Sequence, residues 1–456
     1  MSKIRLHGSS SGYTEIAPVA ASGNNTLTLP NDGTIISKDA AGAVGVTSVH
    51  TTNITATGIA TITTAKIGAG VTISESGIEA SGIGITVANI NGGKIGGRRN
   101  IIINGAMLLA QRGTSSTSTD NGLNTLDRFR VTFGGTDEAV TQAQVSVASG
   151  TSPYAEGFRK SIKLTNGNQT SGAGAGDYVR IGYGIEAQDI ANSGWNYTSS
   201  SSFITMSFWV KSSVAQSFKV EFYTDDGTAQ NFSFDTGSLS ADTWTKVVKT
   251  IPGNSNLTFN NDNGEGLYIR WLPFFGTDFS SSSYTEDTWA AYSGSARIKD
   301  MTSTWYTTND ATFELTGVQL EVGPQATPFE HRSLAEELTL CQRYYYAPFP
   351  VNSQTTAICV NGPYTTSQSF GVIQFPTTMR AAPSGDITVT TDYVNLYTPE
   401  ATGGRGCGNV QVQELTPNSS RIYFTTYASN FSSATGGSGY VMVANNSFKL
   451  CFQSEL

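Results

Sequence analysis

Aromatic residues cluster between positions 271 and 306, and aromatic faces are the groups on which sugar rings stack. Pyranose rings present axial C–H groups to such a face, while amides and carboxylates beside it bind the hydroxyls. Trp289 and Tyr292 fall in a stretch rich in Ser, Thr and Asp that is typical of a loop. The pattern predicts a carbohydrate-binding set, with core filling or inter-chain contact as the alternative for each member: Trp271, Trp289, Tyr292, Trp305 and Tyr306.

Paired carboxylates, the groups that glycoside hydrolysis needs, occur only as sequence neighbours. Asp225–Asp226, Glu286–Asp287 and Glu336–Glu337 are typical of a turn, a loop and a helix cap, respectively. The chain has no H-E-x-x-H motif, and the run Gly8–Ser9–Ser10–Ser11–Gly12 is typical of a flexible segment or turn rather than of a nucleophile elbow. The glycine-rich stretch at residues 171–176 lacks the Lys-Ser/Thr of a phosphate loop. We expect a protein that is not an enzyme and that needs no cofactor.

The sulfur and imidazole side chains favour neither a metal site nor disulfides. The three histidines, His7, His50 and His331, are far apart, and no His-x-His suggests a metal on a symmetry axis. The cysteines, at 341, 359, 407 and 451, form no C-x-x-C pair. No secretory signal is visible behind the amino terminus, so we expect reduced, buried thiols.

The composition of the 456 residues excludes several classes of protein. The net charge is −8, whereas a nucleic-acid-binding protein needs a basic face. The sequence has no run of about 20 apolar residues, so we expect no membrane insertion. With 10% aromatic residues the chain can fill hydrophobic cores, and its length predicts several domains.

Residues 51–99 differ from the rest of the chain. Glycine–isoleucine steps recur in a background of Thr, Ser, Ala and Asn, and residues 51–97 contain no aromatic side chain. Short β-branched runs of this kind cannot bury their isoleucines within one chain, which leaves disorder or a rod of several intertwined chains. We favour a symmetric rod, a homotrimer whose axis is lined by the following residues: Ile62, Ile67, Ile73, Ile83, Ile85 and Val87.

The remaining chain predicts an all-β protein with one short helix. Strand patterns separated by turn signals run through residues 100–330, as expected for a sandwich, with Trp209 and Trp244 in its core. A capping box from Ser333 to Glu336 predicts a connecting helix over 333–343, with an apolar stripe of Leu334, Leu338 and Cys341. Residues 347–456 repeat the strand pattern as a C-terminal β domain.

Several segments resemble phage tail-fibre proteins. The resemblance is strongest over residues 316–346, where Thr316 to Gly323 leads through Ala326 to Glu330 and Glu336–Glu337–Leu338 to Cys341–Gln342–Arg343–Tyr344–Tyr345. This resemblance implies a virion fibre, commonly trimeric, whose middle domain is similar to jelly-roll carbohydrate-binding modules. Further segments that carry it lie at residues 3–30, 100–130, 207–211, 244–253 and 375–383.

Together these patterns predict a structural virion fibre subunit, assembled in the bacterial cytoplasm, that binds host-surface glycan without catalysis. Residues 1–50 would attach to other virion proteins and 51–99 would form the shaft. Residues 100–346 would form the jelly-roll-like sandwich with its helix, and 347–456 the tip. A head or neck fibre built of the same modules and a tailspike-type depolymerase remain as alternatives.

Overall fold

The computed structural model describes residues 99–117, 121–348, 357–365, 367–388, 394–397, 405–426, 439–443 and 449–456, together with the backbone of 4–7, 13–16, 64–67, 71–74 and 77–80. Its contacts divide the chain into two compact units, Met1–Thr86 and Val87–Leu456.

The described residues of the first unit form two small antiparallel sheets. Strands β1 (Ile4–His7) and β2 (Tyr13–Ile16) pair with each other. Strands β3 (Thr64–Ile67), β4 (Val71–Ser74) and β5 (Gly77–Ala80) form a three-stranded sheet, as short β-branched runs separated by glycine predict. Two predicted axis residues, at 67 and 73, lie in these strands, whereas Ile62, Ile83, Ile85 and Val87 lie outside the described residues. The homotrimer and its axis stay predictions.

The second unit begins with a sandwich of two six-stranded antiparallel sheets, which we call sheet I and sheet II. Sheet I has the order β16-β13-β12-β15-β10-β7, and sheet II the order β14-β11-β17-β9-β8-β6. The strands are β6 (Ser115–Ser116), β7 (Arg130–Gly134), β8 (Thr141–Ser146), β9 (Lys160–Thr165), β10 (Tyr178–Glu186), β11 (Phe203–Ser212), β12 (Lys219–Thr224), β13 (Gln230–Asp235), β14 (Thr245–Pro252), β15 (Glu265–Phe275), β16 (Ala290–Ala291) and β17 (Thr312–Val322). Three short helices are α1 (Ser152–Ala155), α2 (Ala187–Ala191) and α3 (Thr304–Thr307).

The inner faces of the two sheets form one hydrophobic core. Side chains alternate across each strand, so Leu267, Ile269 and Trp271 of β15 all point inward and are fully buried. Across the core the Trp271 ring lies 6.0 Å from the ring of Phe208 in β11. The chain crosses repeatedly between the sheets, and the predicted all-β class with a jelly-roll-like sandwich is confirmed.

Helix α4 (Leu334–Gln342) confirms the predicted connecting helix and its cap. The Ser333 side chain accepts a hydrogen bond from the Glu336 amide, and the Glu336 carboxylate accepts one from the Ser333 amide in return. The predicted apolar stripe is wrong at its first position, because Leu334 is 59% exposed. Glu337 is buried instead, where its carboxylate accepts the backbone N–H of Asn104.

A closed barrel follows the helix, with the strand order β19-β20-β24-β23-β22-β25. A smaller sheet, β18-β26-β21, lies beside it. The predicted C-terminal β domain is therefore present. Its strands are β18 (Tyr345–Tyr346), β19 (Ala357–Pro363), β20 (Gln368–Gln374), β21 (Ser384–Thr388), β22 (Val394–Tyr397), β23 (Arg405–Gln413), β24 (Ser419–Thr426), β25 (Gly439–Val443) and β26 (Lys449–Gln453).

Buried charges join the end of the chain to the sandwich. The carboxylate of Glu455 lies between Arg112 at 2.9 Å and Arg128 at 2.5 Å, and all three side chains are at most 8% exposed. The Arg128 guanidinium also stacks on the ring of Tyr344, 3.4 Å from its centroid. Burial alone would raise the pKa of Glu455, but the charges of the two arginines hold it below its usual value. We call these four residues the terminal lock.

The four cysteines are free thiols, and three of them are buried. Burial raises the pKa of Cys359 and Cys407 to about 12. Among the described helices none is long and apolar enough to span a membrane.

Candidate functional site

Most of the aromatic residues predicted to bind sugar lie in the sandwich core. Trp271 and Trp305 are fully buried, Tyr306 is 1% exposed and Trp289 is 6% exposed. Tyr306 stacks on Phe274 with 4.5 Å between ring centroids. The Nε1 of Trp289 donates to the carbonyl of Pro252. The prediction is wrong for these four residues, because none presents a free ring face to solvent.

Tyr292 differs from the other four, since it is 37% exposed and lies just after β16. Its ring meets that of Tyr223 in β12, with 4.8 Å between centroids and an interplanar angle of 68°. The two tyrosines stand at one side of the outer face of sheet I. This face is our candidate site.

The outer face is built by alternation along three neighbouring strands. In β12, Val220 and Phe222 point into the core, so Glu221 and Tyr223 point outward. The same alternation in β15 and β10 sends Tyr268, Arg270 and Arg180 to the outer face. The register places Glu221 beside Arg270, and Arg270 beside Gly182 of β10.

Glu221 organises the charges at the centre of this face. Its carboxylate accepts hydrogen bonds from Arg270 Nη1 at 3.1 Å and from Arg297 Nε and Nη2 at 3.0 and 2.7 Å. Burial alone would raise the pKa of Glu221, but the charge of Arg270 and the hydrogen bonds from Arg297 lower it below its usual value. A carboxylate held ionised by two guanidinium groups is a positioning group rather than a proton donor.

Tyrosine rings lie across the strands around this centre. A side chain at Gly182 would collide with the hydroxyl of Tyr268, so glycine is needed for that ring to lie on the sheet. The Arg270 guanidinium lies 4.6 Å from the Tyr268 ring centroid and 5.0 Å from that of Tyr223. Burial, with the Asp225 carboxylate that the hydroxyl contacts, raises the pKa of Tyr223 to about 12.

The two ends of the face are covered, and in its middle Tyr223 and Tyr292 are partly exposed, while Tyr268 is 7% and Arg297 6% exposed. At one end Phe279 and Ile298 pack on Leu272 of β15. At the other end a side chain at Gly184 would lie 3.0 Å from Leu456. The middle therefore combines two partly exposed tyrosine rings with guanidinium donors, a set that can stack on a sugar ring and bind its hydroxyls.

The adjacent carboxylate pairs serve the structure, as predicted. Asp225 and Asp226 form the turn between β12 and β13, where Asp226 binds Asn260. Glu286 accepts a hydrogen bond from Lys219 at 2.7 Å, and Asp287 pairs with Lys249. Within the described part of the chain, no group of three His, Cys, Asp or Glu side chains could hold a metal ion.

A groove lies beside sheet II. This groove has a volume of about 600 Å³ and is lined by Glu156, Lys246, Val248, Phe329 and His331, among others. Trp209 is 8% exposed near it and donates from Nε1 to Glu156, so it packs outside the main core. Trp244, also predicted to be core, is half-buried in the same cluster. No tyrosine among the described residues lines this groove, and the lysine in its lining, Lys246, is paired with Glu156.

Comparisons with known proteins give the following likenesses. No family model matches the chain, and no curated protein matches it. A domain of the bacteriophage CBA120 tailspike protein 4 has 11% identity and a TM-score of 0.26; the alignment covers 49% of this chain and 21% of that domain. A putative sugar-binding protein from Bacteroides thetaiotaomicron has 12% identity and a TM-score of 0.27, covering 49% and 99%.

A tandem CBM22 domain from Paenibacillus barcinonensis Xyn10C has 10% identity and a TM-score of 0.22; the alignment covers 76% of this chain and 96% of that one.

Proposed function

We propose that the chain is a virion fibre subunit that binds host-surface glycan through the outer face of sheet I and does not cleave it. The observation that carries the glycan part is the row of tyrosines and arginines across three strands, fixed by the buried carboxylate of Glu221. The fibre part rests on the segments that resemble phage fibre proteins and on the isoleucine pattern of residues 51–99.

Binding by one sandwich would be weak, because one shallow face buries little of a sugar. Three sandwiches in a homotrimer, and several fibres on a particle, would raise the avidity without new contacts. In the same proposal the N-terminal segment joins the fibre to other virion proteins.

Binding of the full chain to an array of bacterial surface glycans tests the proposed face. The double variant Tyr223→Ala, Tyr292→Ala should bind at least about tenfold more weakly, because an aromatic face that is buried on binding contributes about 1.5–3 kcal/mol. Tyr364→Ala is the matched control, since that tyrosine is 61% exposed in the barrel region. Equal losses in both variants, or none in the double variant, would refute the assignment.

The proposed absence of catalysis has its own readout in the same samples. Polysaccharide incubated with the protein should show no new reducing ends. Release of reducing ends by the wild-type chain would favour a depolymerase over a pure binder.

A further inference from the structure

The centre of the outer face carries more positive than negative charge. Three guanidinium groups meet there, those of Arg180, Arg270 and Arg297, and the carboxylate among them is that of Glu221. Arg297 uses its fork on Glu221 at 2.7 and 3.0 Å. Three cations and one anion leave an excess of two positive charges at this point.

The other nearby carboxylates do not pair with Arg180. That of Glu265 lies beside Gly184 at the covered end of the face, where burial raises its pKa although the charge of Arg270 opposes the shift. Asp225 accepts the hydroxyl of Tyr223 at 2.9 Å, beyond the tyrosines and towards the covered end of the face. Asp235 and Glu286 both accept hydrogen bonds from Lys219 at 2.7 Å. Among the described residues, none forms an ion pair with Arg180.

Two of the arginines keep hydrogen-bond donors unused. Arg180 donates from Nε to the hydroxyl of Thr132 at 2.6 Å, and its two terminal nitrogens bind none of the described residues. Arg270 donates from Nη1 to Glu221, while its Nε is buried without a partner in the described part of the chain. Burial and the charge of Arg270 lower the pKa of Arg180, as expected for a guanidinium that has no ion-pair partner among the described residues.

The chain as a whole has a net charge of −8, so it would not attract an anionic ligand from a distance. The cluster of arginines can act on such a ligand only at close range. A planar guanidinium with two parallel donors fits a carboxylate oxygen pair. We propose that the ligand of the outer face is an acidic glycan whose sugar carboxylate binds Arg180 and Arg270 while the ring contacts Tyr223 and Tyr292. This proposal rests on the glycan face proposed above.

An array of neutral and carboxylate-bearing glycans, probed with the full chain, tests this proposal. The strongest binders should carry a carboxylate, and reduction of that carboxylate to the alcohol should weaken binding at least tenfold. Arg180→Gln should cause a similar loss for the acidic glycan and leave the melting temperature unchanged. Arg159→Gln is the control, because that arginine is exposed and donates to the Tyr154 carbonyl.

The outcomes separate the two proposals. If the strongest binders are neutral, or if carboxyl reduction has no effect while Tyr223 and Tyr292 are still required, the acidic ligand is refuted and the glycan face stands. If Arg180→Gln weakens acidic and neutral glycans equally, the carboxylate contact is also refuted. Binding to no glycan on the array contradicts both proposals.

Discussion

Replacing Glu455 by Gln should lower the stability of the second unit by roughly 3–5 kcal/mol, the cost of breaking a buried ion pair on one side. The variant keeps the size of the side chain but leaves Arg128 buried without its counter-charge, while Arg112 keeps its pair with Asp127 at 3.2 Å. At about 2–4 °C per kcal/mol, the calorimetric melting temperature should fall by roughly 6–20 °C.

The matched control is Asp386→Asn. Asp386 pairs with Lys449 at 2.8 Å, but both side chains are about half exposed, and such pairs contribute about 1 kcal/mol or less. A Glu455→Gln variant as stable as this control would show that the terminal lock does not hold the sandwich.

Acid should reveal the same interaction. The pKa of Glu455 is lowered in the folded chain, so its contribution is present above the unfolded value of about 4.3 and is lost as the pH falls below it. The difference in melting temperature between wild type and Glu455→Gln should therefore shrink below about pH 4. A difference that grows in acid would contradict the lowered pKa.

Trp271→Ala should destabilise the sandwich by about 3–5 kcal/mol, because it removes a large buried ring and leaves a cavity. The ring is fully buried and lies 6.0 and 6.1 Å from the rings of Phe208 and Phe129. The loss of stability is measured by urea unfolding monitored by far-ultraviolet circular dichroism, a signal of the backbone that does not require the removed tryptophan.

Tyr292→Ala is the partner experiment, since this ring is exposed and its removal should change stability by about 1 kcal/mol or less. The two variants divide the aromatic cluster into core and binding face. If Trp271→Ala left stability unchanged and abolished glycan binding, the assignment of that ring to the core would be wrong.

The sequence predicted the elements of the sandwich better than the roles of its aromatic residues. Leu267 to Leu272 was recognisable as a strand, and alternation within it already groups Trp271 with Leu267 and Ile269 on the core face. The same alternation sends Tyr268 and Arg270 outward. The position of these two residues on the outer face could therefore have been predicted from the sequence, but the sequence analysis did not single them out.

Other parts of the site depend on contacts that no local pattern reports. Arg297 reaches Glu221 across 76 residues from a loop. Tyr306 lies in a polar stretch, yet the four-residue helix α3 inserts it against Phe274. The barrel closes by pairing β19 with β25, strands about 80 residues apart, and such pairing is set by the whole domain.

A structure of the full chain with a bound oligosaccharide, chosen as the strongest binder on the array, tests the glycan face most directly. We expect a sugar ring against Tyr223 and Tyr292, with its polar groups within hydrogen-bond distance of Arg270 and Arg180. A sugar bound instead in the groove of Glu156 and Lys246, or on the C-terminal barrel, with the outer face of sheet I free, would contradict the proposed function.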